Sequence, residues 1–388
     1  MKYQTLMFLL VSFCVACSKD SQISTKQSEE FLKFFGTIGM DTSGQVIAVG
    51  DGYLLSASEA FDTEHRACLY KTDLNGNLQW RLAISDSLNL TARSFIAAQD
   101  GGYYLCGYLT DKSGYSDVFV SKVDANNSVD WVKSYTAPYD QYANCITYDA
   151  NGDLYLSGVS YSDASRNESN QDILLMKLSA SGDSLWTKYY GGTKADVANG
   201  IAMGSDGTVN IIGSSMSYKE NNQDKSNIIL LVTNPAGYLL HRITYGGMGN
   251  DYGYGICRSA DGLLFLAGEV ENDNGDSDGW LACISGNIYT PIWTKTAGRG
   301  RDDAFMSVAC SGMELYSAGF TKNEQNGNKE LYIAKYSTEG KFLKEFISGG
   351  EGDESATSAC FASDGRPVIT GTSRLESNTI LFILKTKL

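Results

Sequence analysis

Short apolar runs, each closed by Gly, Asn or Asp, return along this chain at a fixed spacing. The clearest copy opens at Gly191 with Gly-Gly-x3-Asp, continues through Ile201-Ala202, and turns at Asp206-Gly207. A Val209–Gly213 run follows, then a long polar loop and another apolar run from Ile228 to Val232. One copy earlier, Ile173–Leu178 leads into a Ser181-Gly182 turn and the segment Leu185–Tyr190. Four short β-type runs separated by three turns make a unit of about fifty residues, a period expected of repeat architectures.

The register holds from end to end. Trp80, Trp131, Trp186 and Trp293 share one position, taken by His241 and Lys344 in the other full copies. Five residues later each new unit starts, at Ser85, Thr136, Gly191, Gly246, Gly298 and Gly349. Ten residues further on stands an apolar core position: Phe95, Ile146, Ile201, Ile256, Val308 and Ala359. The second run ends on Gly107, Gly158, Gly213, Gly268, Gly319 and Gly371. The third carries Lys71, Lys122, Lys177, Lys335 and Lys385, broken only by Val232 and Ile284. Counted from Gly36, with Val46 at the core position, there are seven units.

The seventh unit stops at Leu388 without a Trp-type fourth strand. Its missing piece stands at the other end, where Phe31–Gly36 aligns with Trp186–Gly191 and Phe31 takes the Trp position. This predicts an all-β fold, a seven-bladed β-propeller of four-stranded blades over residues 31–388, closed by the N-terminal strand completing the C-terminal blade. The Trp column is expected to pack between blades. The Asp-Gly and Asn-Gly pairs supply hairpin turns. The Lys column is expected to lay its stems on the blade surface with the charges in solvent.

Ahead of the propeller, Lys2 and the apolar run Leu6–Val15 end in Val15-Ala16-Cys17-Ser18. The run is too short to span a membrane. It resembles a bacterial lipoprotein signal of residues 1–16, with Cys17 the lipidation site, although Cys14 stands where Leu is usual. An ordinary secretory signal is the alternative. Residues 17–30 read as a polar tether, and Ser18 after the cysteine implies sorting to the outer membrane, facing the cell surface or the periplasm.

Composition narrows the partners. A net charge of −14 argues against nucleic acid and anionic membrane surfaces. The membrane is then touched through the lipid anchor alone. The seven cysteines beyond Cys17 are scattered singly through apolar strands and read as buried small hydrophobes rather than a disulfide framework.

The repeat resembles the bacterial β-propeller repeats of secreted proteins, whose pattern appears here in Gly158–Ser160 and in Trp186–Gly192. That resemblance runs from Phe31 to Leu388 and implies a fold, not an activity. A weaker likeness is to quinoprotein-type propellers, carried by the Gly-x-x-x-Trp segments Gly76–Trp80 and Gly182–Trp186. It would imply pyrroloquinoline quinone and calcium, but no further motif for that cofactor is present.

Function is sought on the face shared by the fourth-to-first and second-to-third connections. One set of residues there is acidic: Asp41, Asp196, Asp251 and Asp303, with Asp140, Asp302 and Asp353 one position earlier. Their repetition suits turn capping. A calcium site, which needs 6–8 oxygens, or a carboxylate pair for glycoside cleavage are the alternatives. The other set breaks the repeat: Tyr142, Tyr252, Phe305, Arg93, Arg299 and Arg301, with Tyr108, Tyr115, Tyr161 and Tyr218 in or beside the long loops. Aromatics with Arg and Asn suit a glycan or a peptide. Only His65 and His241 are present, and no catalytic signature accompanies them.

The expectation is a monomeric surface or periplasmic lipoprotein that binds a glycan or protein partner through this loop face, with no catalytic residue assigned. The alternatives are a carbohydrate-active hydrolase or lyase using acidic residues of that face, and a purely structural propeller.

Overall fold

Each repeat forms one antiparallel sheet. The structure is a computed structural model and describes residues 30–388, apart from 38, 62–63, 164, 168–169, 219–223, 287, 300–301 and 377. The signal segment, Cys17, most of the tether and Arg301 therefore lie outside the described residues. Strand β1 is Phe31–Phe35. Blade 1 is β2 (Thr42–Val49), β3 (Gly52–Phe61), β4 (Glu64–Asp73) and β5 (Leu78–Ala83). Blade 2 is β6 (Leu90–Ala97), β7 (Tyr103–Thr110), β8 (Ser116–Val123) and β9 (Val129–Tyr135). Blade 3 is β10 (Gln141–Tyr148), β11 (Leu154–Tyr161), β12 (Gln171–Leu178) and β13 (Ser184–Tyr190). Blade 4 is β14 (Asp196–Met203), β15 (Val209–Ser215), β16 (Asn227–Thr233) and β17 (Leu239–Tyr245). Blade 5 is β18 (Asp251–Arg258), β19 (Leu263–Glu271), β20 (Ser277–Ser285) and β21 (Pro291–Ala297). Blade 6 is β22 (Asp303–Ser311), β23 (Glu314–Lys322), β24 (Lys329–Ser337) and β25 (Phe342–Ser348). Blade 7 is β26 (Asp353–Phe361), β27 (Pro367–Leu375) and β28 (Asn378–Lys385).

Strand β1 supplies the fourth strand of blade 7. The sheet order is β1-β28-β27-β26, with Phe31 opposite Lys385 and Phe35 opposite Leu381. Closure by the N-terminal strand is thus what the structure shows, and the seven-bladed propeller stands.

The core lies between blades rather than inside any one of them. Seven clusters of buried residues each join two neighbouring blades, including blade 7 to blade 1 through Leu381, Ile383, Tyr53 and Tyr70. Burying a Leu or Ile there contributes about 1.5–3 kcal/mol each. The Trp column seals these seams. Gly182 sits at φ 79° and Gly237 at φ 72°, in the turns joining third and fourth strands. A Cβ on either would strike the ring of Trp131 or Trp186 of the preceding blade. Glycine is required there both for the left-handed backbone and for the close approach.

The lysine column departs from expectation. Lys71, Lys122 and Lys385 are 7%, 4% and 1% exposed. Each pairs with the acid in the first turn of its own blade: Lys71 with Asp51 at 2.8 Å, Lys122 with Asp100 at 2.5 Å, and Lys385 with Asp364 at 2.7 Å. Lys177 and Lys335 do the same with Asp153 and Glu314. The ammonium groups are therefore covered and paired instead of standing free in solvent, although the Asp51 and Asp100 carboxylates that meet them stay exposed. In blade 4, where Val232 takes the lysine position, Asp206 accepts hydrogen bonds from Thr208 of its own turn. In blade 5, with Ile284, Asp261 likewise accepts from Ser259.

Candidate binding face and channel

The repeated acids at the loop face are engaged one blade at a time. The first column accepts the backbone N–H four residues back: Thr37 on Asp41 (2.6 Å), Gly192 on Asp196 (2.9 Å), Gly247 on Asp251 (2.7 Å) and Arg299 on Asp303 (2.8 Å). Glu354 takes that role in blade 7, accepting from Gly350. All four Asp side chains are buried. The position before it reaches back about one half-repeat to the start of the previous blade's third strand. There Asp140 accepts the N–H of Ser116, Asp302 that of Ser277 and Asp353 that of Lys329. Asn89 and Asn250 do the same for His65 and Ser226. Among the described residues no group of three or more His, Cys, Asp or Glu is arranged to hold a metal ion.

The residues that break the repeat divide into three. Tyr142 and Arg93 come together. The guanidinium of Arg93 lies 5.5 Å above the Tyr108 ring, Tyr108 meets Tyr142 edge-on at 4.7 Å, and Tyr142 meets Tyr161 at 6.1 Å. Gln171 donates to the Tyr161 hydroxyl at 2.7 Å. The three tyrosines are half-buried and Arg93 is exposed. Tyr252 belongs to a second group, stacked at 6.5 Å on Tyr254, whose hydroxyl donates to Glu269 at 2.9 Å. Burial holds the Glu269 carboxyl above its ordinary range.

Phe305 and Arg299 lie elsewhere than expected. Phe305 is fully buried, its ring 5.3 Å from Tyr332 and pressed against Gly279 of blade 5. It occupies a column of small residues (Ala92, Ala143, Ala198, Gly253, Ala356), so its ring faces the seam and not the ligand side. The compensating change is Gly279, which stands where blade 3 has Ile173. Arg299 lies at the outer rim, bound through both sides of its fork to Glu345 beside a groove of about 510 Å³.

The channel itself went unread in the sequence. Every innermost strand carries a bulge at the same place, opposite the glycine or serine of its neighbour strand. The extra residues, which oppose no partner of their own, are Gly44 (with Gln45 beside it also unpaired), Arg93, Asn144, Asn199, Tyr254, Met306 and Thr357, and all of them line a channel of about 820 Å³. A bulge re-aims a side chain out of the strand's alternation. A partial signal stands at the third residue after the repeat acid, polar in Asn199 and Tyr254 but Gly44 and Met306 in blades 1 and 6.

Several of these groups stitch the ring. Asn144 donates to Ala198 O and Asn199 to Gly253 O, each at 2.8 Å, so neighbouring blades repeat one contact. Gln45 accepts from Ser94 at 2.8 Å, and Thr357 donates to Gly44 O at 3.0 Å across the closure.

No protein-family model matches this chain, and neither does any curated protein. Solved structures do. The WD40 β-propeller domain of Doa1 superposes with a TM-score of 0.55 at 11% identity, over 92% of this chain and 97% of that one. The β-propeller domain of the Trilobed protease from Pyrococcus furiosus gives 0.52 at 10% identity, over 91% and 95%. Its topology is described as an open velcro, whereas here β1 pairs with β28. The polysaccharide lyase Uly1 gives 0.51 at 12% identity, over 89% of both chains. At these identities the likeness is one of fold: this chain is a β-propeller similar to domains of very different function.

Proposed function

We propose that this chain is a lipid-anchored binding module, held at the outer membrane through Cys17, whose loop face takes a glycan. One observation carries the reading: the run Arg93–Tyr108–Tyr142–Tyr161 at the channel mouth, which the repeat does not require. Half-buried phenol rings offer apolar faces to a sugar ring while their hydroxyls and the nearby amides meet its hydroxyls. The WD40 domain and the lyase among its structural neighbours are consistent with interaction or with polysaccharide as the object of binding, and they select neither.

The test is thermal melting of the purified protein against a panel of polysaccharides, repeated with Tyr142→Ala. The expected result is a rise in Tm with one glycan class, lost in the variant while the unliganded variant still melts cooperatively. A rise that survives Tyr142→Ala would place the ligand elsewhere. A carbohydrate-active hydrolase or lyase is favoured by one observation, the raised carboxyl of Glu269 beside the Tyr254 hydroxyl. Product analysis of the shifting mixture decides between binding and cleavage.

A further inference from the structure

In a chain of net charge −14, the described residues that line the central channel include no Asp, Glu or Lys; their charged side chains are Arg93 and Arg258. The two arginines stand apart along the channel. Arg93 is the bulge residue near the loop-face start of β6, and Arg258 is the last residue of β18 at the opposite end. Among the described residues neither has a carboxylate within 4.0 Å, although sixteen other ion pairs are formed, two of them by Arg166 and Arg299 on the same face. The Arg93 guanidinium lies over the face of Tyr108, and among the described residues its fork of N–H donors makes no hydrogen bond or ion pair. His65 adds no competing charge at neutral pH, because burial and the neighbouring Arg93 hold it below its ordinary value despite the opposing pull of Asp41. The repeat acids that might have neutralised Arg93 are instead committed elsewhere: Asp41 and Asp196 to backbone N–H groups four residues back, and Asp140 to the N–H of Ser116 in the previous blade and to Arg166.

We infer that the channel mouth reads a carboxylate carried on a sugar ring, with Arg93 as its bidentate partner, so that the glycan class is acidic: a uronate-containing polysaccharide. This rests on the glycan reading above and narrows it. A planar guanidinium pairs with a carboxylate through two parallel hydrogen bonds, which a lysine cannot copy. Arg93 is exposed at the mouth, so the pairing draws its strength from the two-bond geometry and from the positive potential of the mouth. The Tyr142 ring lies against Tyr108, over which Arg93 sits, and Asn144 and Asn199 line the same channel; the ring face and the amide groups left over from the blade-to-blade bonds supply what a sugar needs beyond its charge. A cavity of about 820 Å³ falls in the range of ligand sites rather than of packing voids. The chain's net negative charge opposes the approach of any polyanion, so affinity depends on this local positive site and weakens with salt.

The experiment uses the intact protein in calorimetric titrations with oligomers of galacturonate, glucuronate and mannuronate, each beside its methyl ester, and with neutral oligosaccharides and a poly-glutamate peptide. The ester keeps the ring and removes the charge. The expected result is that one uronate binds at least about 10-fold more tightly than its ester. Arg93→Gln should then weaken the acid about 10- to 100-fold, as the loss of a charge-assisted pair implies, and leave the ester unchanged. Arg93→Lys should fall between, and it carries the decision if the Gln variant melts early. Equal binding of acid and ester, or an equal loss of both in Arg93→Gln, overturns the inference while the glycan reading stands. Binding of neutral oligosaccharides alone has the same consequence. If no glycan binds and poly-glutamate does, both readings fall together.

Discussion

The hydroxyl of Tyr316 donates to the carbonyl oxygen of Leu388 at 3.1 Å. Tyr104 and Tyr155 make the same contact one blade onward, to Ala180 O and Pro235 O at 2.9 and 3.0 Å, in turns between third and fourth strands. Blade 7 has no such turn, because its fourth strand comes from residues 31–35, and the segment after β28 supplies the acceptor instead. On the other side of the same blade, the Phe31 ring packs 5.9 Å from Tyr53 and against Gly76 of blade 1, as Trp131 and Trp186 pack on their neighbours. Phe31→Ala should therefore cost roughly 2–3 kcal/mol, somewhat below a fully buried Phe, and Phe31→Trp should be tolerated. Removal of residues 18–36 should sharply lower Tm while removal of 18–28 does little. Urea and thermal melts check both. Melting of the longer deletion at the parent temperature would mean that closure contributes nothing.

The buried pair Lys385–Asp364 separates two ways of losing an ion pair. Asp364→Asn takes the Asp364 carboxylate from an ammonium that is 1% exposed, and breaking a buried pair from one side costs about 3–5 kcal/mol. Lys385→Met removes the ammonium, leaves Asp364 with Arg366 at 3.8 Å, and imitates blades 4 and 5, where Val232 and Ile284 fill the position at 0% exposure. The second change should cost about 1 kcal/mol or less. Denaturant melts that rank the two equally would refute this account of the column.

Acid stability should pass through a maximum. The hydrogen bonds and charges of Lys71 and Lys122 hold Asp51 and Asp100 below the ordinary carboxylate value; for Asp364, burial pushes upward but the Lys385 contact prevails. Such groups favour the fold above their unfolded value of about 3.9 and cease to as pH falls through the folded value. Glu269, Asp196 and Asp172 are displaced upward, chiefly by burial. They oppose folding at neutral pH, and that penalty fades as pH falls toward about 4. Tm should therefore rise from pH 7 to about pH 5 and drop below about pH 4. A Tm still rising between pH 5 and pH 8 would show that the upward-shifted carboxyls carry little weight.

Asp251→Asn distinguishes capping from chemistry. The Asp251 carboxylate accepts the N–H groups of Gly247 and Glu271 at 2.7 and 3.1 Å, and an amide turns one acceptor into a donor. The expected cost is about 1–3 kcal/mol, read as a lower Tm, with the glycan response intact. Loss of turnover on a glycan at unchanged Tm would make this carboxylate part of an active site.

The fold was legible because each level of the sequence repeats it: turns and apolar runs recur in register through seven units, Trp holds its position in four of them, and Phe31–Gly36 completes the count. The site was legible only in part. Tyr142 and Arg93, candidates because they break the repeat, lie together through Tyr108. The lysine column was misread because a charged residue every fifty positions resembles a solvent row, and its acid partner stands about twenty residues away in the first turn (Asp364 for Lys385). The channel ring was hidden by the bulges. A single extra residue shifts the alternation of β10 between Ala143 and Cys145, and nothing in the local sequence around Asn144 marks that shift. Phe305 misled for a related reason: it stands two residues after Asp303, on the seam side, whereas its neighbour Met306 faces the channel.

That same phenylalanine supports a test of how the seams are packed. At the seam of blades 3 and 4, Ile173 of β12 meets Ala198 of β14, both at 0% exposure. At the seam of blades 5 and 6 the sizes are exchanged, Gly279 against Phe305. A Cβ on Gly279 would lie 2.9 Å from two atoms of the Phe305 ring, so Gly279→Ile overpacks the seam and should cost about 1–3 kcal/mol or more. Phe305→Ala leaves a cavity and should cost about 3–5 kcal/mol. The double change Gly279→Ile/Phe305→Ala rebuilds the Ile–Ala pair of blades 3 and 4, and each substitution removes the defect of the other. It should lie within about 2 kcal/mol of the parent, giving a coupling energy of at least about 2 kcal/mol, at or above the upper end of that seen for residues in contact. Urea melts of the four proteins in the cycle measure it. Additive losses would mean that the two seams differ in backbone spacing, and that the exchange of sizes is not what fits Phe305 into its place.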